Sequence, residues 1–445
     1  MKLIKFTATG VHGVMNFDVN FNEQITLLVG INGSGKTTVL NITSWLLSLK
    51  FGHIATIDFK TISVSLRHDD RLLTIRAEKN KNHIEISLDG YSEKFAPILV
   101  PLRHYVEREY DARNDEEIAQ LYSGLTPDSD ERHLWDFILK LPRVTNITLE
   151  RLLSIDDGST AYRNYDRQYP SRSRSTSTPM DRVNEIHLRI ISDVRAGIEK
   201  IDTQLTRELL LSSFMPRTSL TAQISAKEMI ATIENIHSIE RMLNSNLGIT
   251  AESKELADYF AELRASWFGI TNSDDPDRIQ NYAYLQSEIL RLKKFSQAFD
   301  RAQEKKTRIS WKLDKFTETL NELFADSGKQ VEVGRRGPGF NFSFRERNPE
   351  KKARHRTVSA LSSGEKQLLI LLTYVAFPQT GSRIIIIDEP ELSLHLRWQE
   401  KFLDAVRALA DRDLQLVIAT HSPSIVGNNR SDCVVMPRLS HGGAN

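Results

Sequence analysis

Short runs of alternating apolar and polar residues open the chain. Lys2–Ala8, Phe17–Phe21 and Ile25–Val29 each read as a strand, and after a Gly-rich turn the apolar periodicity predicts a helix from about Thr37 to Leu49. From Ile57 to Leu88 the alternation is broken only by polar turns, the pattern of an antiparallel meander, and Ile98–Val100 is one more short strand stopped by Pro101. Residues 113–155 are expected to be helical. Between Tyr162 and Thr178 apolar periodicity vanishes in an Arg/Ser/Tyr tract containing SRSRSTST, the composition of a mobile surface loop. From Asn184 to Asp326 nearly everything reads as helix. Leu285, Leu292, Phe299, Lys306, Leu313 and Leu320 recur every seven residues, and Phe295, Ala302, Ile309, Phe316 and Leu323 form a second seam. These seams predict a helix of about 40 residues, roughly 60 Å long, packed in an antiparallel helical hairpin or in an intermolecular coiled coil. Strands return at Val331–Val333 and Phe340–Phe344, and the last hundred residues alternate helix and strand. The helical region therefore interrupts an α/β domain whose two parts must come together.

Two of the strands end in residues that carry chemistry. Ile25–Val29 runs into Gly30-Ile31-Asn32-Gly33-Ser34-Gly35-Lys36-Thr37, a GxxxxGK[ST] turn followed by a helix. Glycines let backbone N–H groups turn inward around phosphates, and a helix N-terminus adds favourable partial charge. Lys36 is placed to reach the β and γ phosphates of a nucleotide, and the Thr37 hydroxyl to bind Mg²⁺; Asn32, Gly33, Ser34, Gly35 and Thr38 complete the nucleotide-binding loop. Near the other end, Arg383–Ile387 is a β-branched run ending in Asp388 and Glu389, a strand buried on both faces of a parallel sheet with its acids at the C-terminal edge. Successive strand residues point oppositely, so Asp388 suits the Mg²⁺ shell and Glu389 suits polarising the attacking water.

Composition narrows the class without choosing a partner. Of the 445 residues 40% are apolar and 26% charged, and 59 Lys+Arg against 58 Asp+Glu leave a net charge of +1, which argues neither for nor against nucleic acid. The one cysteine, Cys433, excludes intrachain disulfides and cysteine-based zinc sites and points to a cytoplasmic location. No apolar run reaches membrane-spanning length.

Two further segments complete a set. Leu361-Ser362-Ser363-Gly364-Glu365-Lys366-Gln367 opens an apolar helix about 20 residues before the acidic strand, and Leu414–Ala419 is another buried strand, ending at Thr420-His421-Ser422. In this order the four motifs resemble the ABC-type P-loop ATPases, specifically their RecF/SMC/OLD-like branch. The resemblance implies an α/β ABC-type ATPase head, a mixed sheet with helices, interrupted by a helical, partly coiled-coil-like insertion. The expected divisions are an N-terminal lobe over 1–155, the Arg/Ser/Tyr loop over 156–183, the insertion over 184–326 and a C-terminal lobe over 327–445.

It further implies ATP and Mg²⁺ as ligands, with Glu389 the general base and His421 the switch histidine that reports the γ-phosphate. Ser362, Ser363, Gly364 and Glu365 would form a signature acting in trans on the nucleotide of a second copy, and Glu391-Leu392-Ser393-Leu394-His395 stands in the D-loop's place, with Ser393, Leu394 and His395 as its site residues. A homodimer or higher oligomer with composite ATP sites follows. Two departures stand out: Thr9–Gly13 occupies the place of the family's Arg-containing FRS-like segment, and no glutamine matches the Q-loop.

The wording LSSGEKQ and IIIIDEPELSLH is similar to the small ATPases of bacterial defence modules such as PARIS and Septu. That implies a sensor or regulator subunit in anti-phage defence that controls a separate nuclease or toxin, for instance a TOPRIM-type nuclease, in response to a nucleic acid or phage protein. Only 24 residues follow His421, too few for a TOPRIM domain, so the effector is expected on another polypeptide. A RecF/SMC-like DNA-binding ATPase in DNA repair is the alternative, and a scaffold with negligible turnover a third. Tyr162–Arg174 and Arg335–Arg356 are basic enough to bind nucleic acid or to be plain solvated loops.

Overall fold

The computed structural model describes residues 1–102, 122, 124–148, 154–156, 178–214, 254–271, 278–333, 340–344, 355–356, 358–378 and 381–436. The Tyr162–Arg174 tract and most of the Arg335–Arg356 stretch lie outside them. In chain order the strands are β1 (Lys2–Val11), β2 (Met15–Asn20), β3 (Ile25–Val29), β4 (Thr61–His68), β5 (Arg71–Lys79), β6 (His83–Asp89), β7 (Ile98–Pro101), β8 (Arg143–Thr148), β9 (Ser154–Asp156), β10 (Lys329–Val333), β11 (Phe340–Phe344), β12 (His355–Arg356), β13 (Ser382–Asp388), β14 (Gln415–Thr420) and β15 (Cys433–Val435). The α-helices are α1 (Lys36–Leu47), α2 (Phe51–Ala55), α3 (Arg132–Lys140), α4 (Pro179–Ser213), α5 (Lys254–Thr271), α6 (Arg278–Phe324), α7 (Ser363–Ala376), α8 (Leu396–Leu409) and α9 (Pro423–Val426). No helix among the described residues is long and apolar enough to cross a membrane.

The described residues form two compact units, one of residues 1–188 with 314–445 and one of residues 189–313. In the first, an antiparallel sheet ordered β2-β1-β4-β5-β6-β7 and a second sheet ordered β15-β3-β14-β13-β8-β9 enclose a common core, and β10-β11-β12 form a third, small sheet. The second sheet is parallel throughout except at β9. Burial on both of its faces explains the unbroken apolar runs of its strands, since neither Ile384–Ile387 nor Leu416–Ala419 meets water. One face, with Leu28, Ile384, Ile386, Val417 and Ala419, shares its core with α1 and with Phe6, Val64 and Ile75 of the antiparallel sheet.

The chain ends are tied by one side chain. Gln415 on β14 accepts from the Leu3 backbone N–H (2.6 Å) and donates to the backbone carbonyls of Leu3 (2.9 Å) and Asn22 (2.7 Å), the two Leu3 bonds fully buried. Its amide satisfies groups that would otherwise be buried unpaired.

In the second unit α4 and α6 run antiparallel. Asp202 pairs with Lys306 at 2.5 Å and Glu208 with Arg301 at 3.5 Å, so numbering rises along one helix as it falls along the other. Gly197 faces Ile309 so closely that a Cβ would sit 3.0 Å from its Cδ1. Ile201, Leu205, Phe260, Leu263, Leu285, Ile289, Leu292, Ala298, Phe299 and Ala302 make a common core with α5. This part of the heptad seam is therefore buried within the chain, as a local hairpin requires, and Lys306 holds its seam position by an ion pair.

The expectation of helix throughout 113–155 is corrected by the fold. After α3 the chain turns at Leu141-Pro142 and enters the parallel sheet as β8, beside β13. Proline cannot continue the helix, and the β-branched residues of Arg143-Val144-Thr145-Asn146-Ile147-Thr148 suit a slot buried between neighbouring strands.

Candidate functional site

Three parallel strands deliver the motif residues to one edge. Val29 pairs with Thr420 and Asp388 with Ala419, so Gly30, Asp388-Glu389 and Thr420-His421 leave the sheet together at the C-terminal ends of β3, β13 and β14. Ligands bind at such edges in open α/β sheets.

The turn from Gly30 to Thr37 closes on itself. Gly33 (φ 81°) and Gly35 (φ 85°) adopt left-handed backbone, and a Cβ on Gly35 would lie 2.5 Å from the Phe17 ring, so only glycine fits there. Lys36 is buried, and its ammonium donates back to the carbonyls of Gly30 (2.9 Å) and Ile31 (3.2 Å). Ser34 Oγ is buried with no hydrogen-bond partner among the described residues. Asn32 and Gly33 are exposed at the tip, and Thr38 is half-buried in the first turn of α1.

Facing this loop is a group of carboxylates in unequal surroundings. Asp388 is buried; desolvation pushes its carboxyl up to about 6, against the Thr37 hydroxyl that hydrogen-bonds it and the nearby Lys36 charge. Its Oδ1 finds no hydrogen-bond partner among the described residues. Glu389 is half-buried and has φ 50°, a left-handed backbone that a non-glycine residue holds only at a cost of about 1–3 kcal/mol. Its N–H donates to the Ala419 carbonyl at 2.9 Å. His421, the more exposed partner, places Nδ1 3.9 Å from Glu389 Oε1 and 3.0 Å from Glu391 Oε1.

The Ser362–Glu365 segment caps a helix. Ser362 Oγ accepts from the Glu365 N–H, and Glu365 Oε2 accepts from the Ser362 N–H at 2.7 Å, a complete capping box at the N-terminus of α7. Glu365 is buried and pairs with Lys329 at 2.5 Å, while Ser362 and Ser363 are exposed. Burial alone would raise the Glu365 carboxyl, yet hydrogen bonds from Lys329 and Ser362 outweigh it and hold it below the usual range. A Cβ on Gly364 would lie 2.4 Å from the Ser393 carbonyl, so the capped helix end rests on the segment after the acidic strand. There Ser393 is exposed with φ 69°, Leu394 is buried, and His395 caps α8. Among the described residues no hydrogen bond or ion pair joins Ser362–Glu365 to the Gly30–Thr37 loop.

Three residues without an individual role in the sequence expectations hold the site together. Glu391 is buried and takes the His421 N–H at 2.7 Å. Gln367 donates to the carbonyls of Pro390 and Leu392, and Gln399 to those of Glu391 and Leu394 while accepting from Ser422. Gln367 closes the LSSGEKQ segment and could have been singled out there; a lone glutamine in an amphipathic helix, as Gln399 is, gives no signal.

A glycine cradle at a helix N-terminus, a lysine beneath it, a Thr–Asp pair with an unmet carboxylate oxygen and an adjacent Glu and His fit a nucleoside triphosphate with its divalent cation. Fold and site together define an ABC-type P-loop ATPase of the RecF/SMC/OLD branch. The family model of the AAA ATPase domain, AAA_15, matches residues 1–426, and the chain belongs to that family and is an ATPase. It is 19% identical over 409 residues, 91% of this chain and 67% of the other, to the retron Vc95 probable ATPase of Vibrio cholerae. An OLD nuclease of Thermus scotoductus is 33% identical over 81 residues, 18% of this chain and 15% of that protein. The SMC head domain from Thermotoga maritima is similar over 96% of this chain and 91% of that one, at 11% identity and a TM-score of 0.34.

Proposed function

We propose that the chain is a nucleotide-dependent switch, the ATPase subunit of a bacterial defence module that controls a separate effector protein, and that it works as a dimer or larger assembly with ATP sites shared between copies. The observation that carries the catalytic part is the convergence of Thr37, Asp388, Glu389 and His421 on the C-terminal edge of one parallel sheet. Backbone N–H groups of Gly33–Thr37 and the Lys36 ammonium bind the β and γ phosphates once Lys36 leaves the carbonyls it now caps. Thr37 and Asp388 would hold Mg²⁺, which would supply charge stabilisation for the transferring phosphoryl group. Glu389 takes the proton of the attacking water, and His421 contacts the γ-phosphate and so distinguishes ATP from ADP.

Ser362 and Ser363, exposed at a helix N-terminus, and the backbone of the buried Gly364 donate to the γ-phosphate of a second copy, and Glu365 braces them from below. Support for the defence role comes from the motif wording and from relatives named as a retron ATPase and an OLD nuclease. The partner is a nuclease or toxin on another chain and the trigger a nucleic acid or phage protein.

Glu389→Gln is the direct test of the catalytic reading. The amide still hydrogen-bonds water but cannot accept its proton, so ATP should bind with parental affinity while turnover falls at least a hundredfold. Parental turnover in this variant would remove Glu389 from the role of base.

A further inference from the structure

We infer that Glu391 is a positioning residue for ATP hydrolysis, acting entirely through His421. The inference rests on the role proposed above for His421. Two contacts converge on a single oxygen: Glu391 Oε1 accepts the His421 backbone N–H at 2.7 Å and lies 3.0 Å from the ring Nδ1. The first contact fixes where β14 ends, and the second fixes how the imidazole is turned. A histidine just beyond a strand end, with a side chain 40% exposed, would otherwise exchange between rotamers. A carboxylate accepting from Nδ1–H also keeps a proton on that nitrogen and leaves Nε2 as the atom that faces the site.

Glu391 is suited to hold rather than to react. Its side chain is 5% exposed, against 32% for that of Glu389, and its remaining oxygen, Oε2, is buried without a hydrogen-bond partner among the described residues. Its own backbone is tied down by Gln399, and Leu394 donates to its carbonyl at 3.1 Å. Glu365 shows what a purely architectural buried carboxylate looks like in this chain: a lysine and a backbone N–H of its own segment neutralise it. Among the described residues the ion-pair partner of Glu391 is His421. A buried carboxylate is costly to keep, and here it is kept on the one residue expected to read the γ-phosphate.

The test is a double-mutant cycle in the full chain with Glu391→Gln, His421→Ala and the pair. Glu391→Gln keeps side-chain volume and an oxygen for the backbone N–H but weakens the grip on the ring, so kcat should fall about tenfold or more with the ATP KM within about threefold. Adding it to His421→Ala should cost nothing further, because a residue that acts through His421 has nothing left to position. With ¹⁵N-histidine, the His421 ring should show protonated Nδ1 in the parental protein and move toward the Nε2–H tautomer in Glu391→Gln. Multiplicative losses in the double variant, or an unchanged tautomer, would overturn the inference even if His421→Ala alone abolished turnover. Parental turnover in His421→Ala would instead refute the role of His421 itself. Should Glu391→Gln fold poorly, the parental tautomer still decides: a ring protonated only at Nε2 rules out the clamp.

Discussion

Gly364 has a backbone carbonyl where a side chain would begin. A Cβ there would stand 2.4 Å from the Ser393 oxygen and 3.4 Å from the Trp398 ring. Gly364→Ala should therefore lower stability by about 1–3 kcal/mol through overpacking. The displaced Ser393 lies two residues past Glu391, so ATP turnover should fall as well; chemical denaturation and a turnover assay check both. His187 gives a different readout. It is buried against Thr373, whose hydroxyl donates to the Leu369 carbonyl and so accepts the His187 Nε2 proton at 2.9 Å. Burial pushes the imidazole down to about 3. The unfolded chain, with a histidine near 6.5, binds the proton first. Stability from this site is therefore full above about pH 6.5 and falls toward pH 3, by up to about 1.4 kcal/mol per pH unit. Denaturation midpoints of the parental chain and His187→Gln across that range should differ in slope. The loop and acid residues were legible in the sequence because phosphate and metal chemistry demands glycine, lysine and carboxylate at fixed spacing. Glu391 was legible only as one letter of a turn. Its side chain meets His421 because the strands that precede the two residues, β13 and β14, lie side by side, a tertiary outcome that no local pattern announces.

At the scale of elements, legibility followed burial pattern. The 47-residue α6 announced itself because its seam repeats for several heptads, and Leu285, Leu292, Phe299, Leu313 and Leu320 are indeed buried. The strands β13 and β14 were visible as unbroken apolar runs for the same reason. β8 was hidden: six residues with two threonines and an asparagine carry no periodicity that separates a strand from the end of a preceding helix. Its identity comes from the sheet. Asn146 pairs with Ile386, and its amide reaches Asn41 of α1 at 3.2 Å, a contact that exists only once the helix after the phosphate loop has packed. The basic tracts 162–174 and 335–356 offered composition alone, and composition does not distinguish a binding surface from a solvated one.

For the whole molecule the sharpest expectation concerns the number of chains in one catalytic site. If ATP is capped by the signature of a second copy, Lys36→Ala chains and Ser363→Arg chains should each be inactive alone. Mixed and allowed to exchange, they should regain activity approaching about a quarter of the parental value, because half the dimers are mixed and each has one site free of both changes. Mixtures that exchange subunits, as shown by differently tagged chains, and yet stay inactive would count against shared sites.

The placement of β3 also sets an order of assembly. This strand carries the phosphate loop and is made long before its two neighbours in the sheet, β14 and β15, and Gln415 must arrive before the Leu3 and Asn22 backbone groups find their partners. At roughly 5–20 residues per second, the loop waits about 20–80 s during synthesis for the strands that flank it. Nascent chains halted anywhere in the helical region should thus be unable to retain ATP. The ability to read nucleotide is acquired only with β14 and β15, after the helices that interrupt the domain have been made.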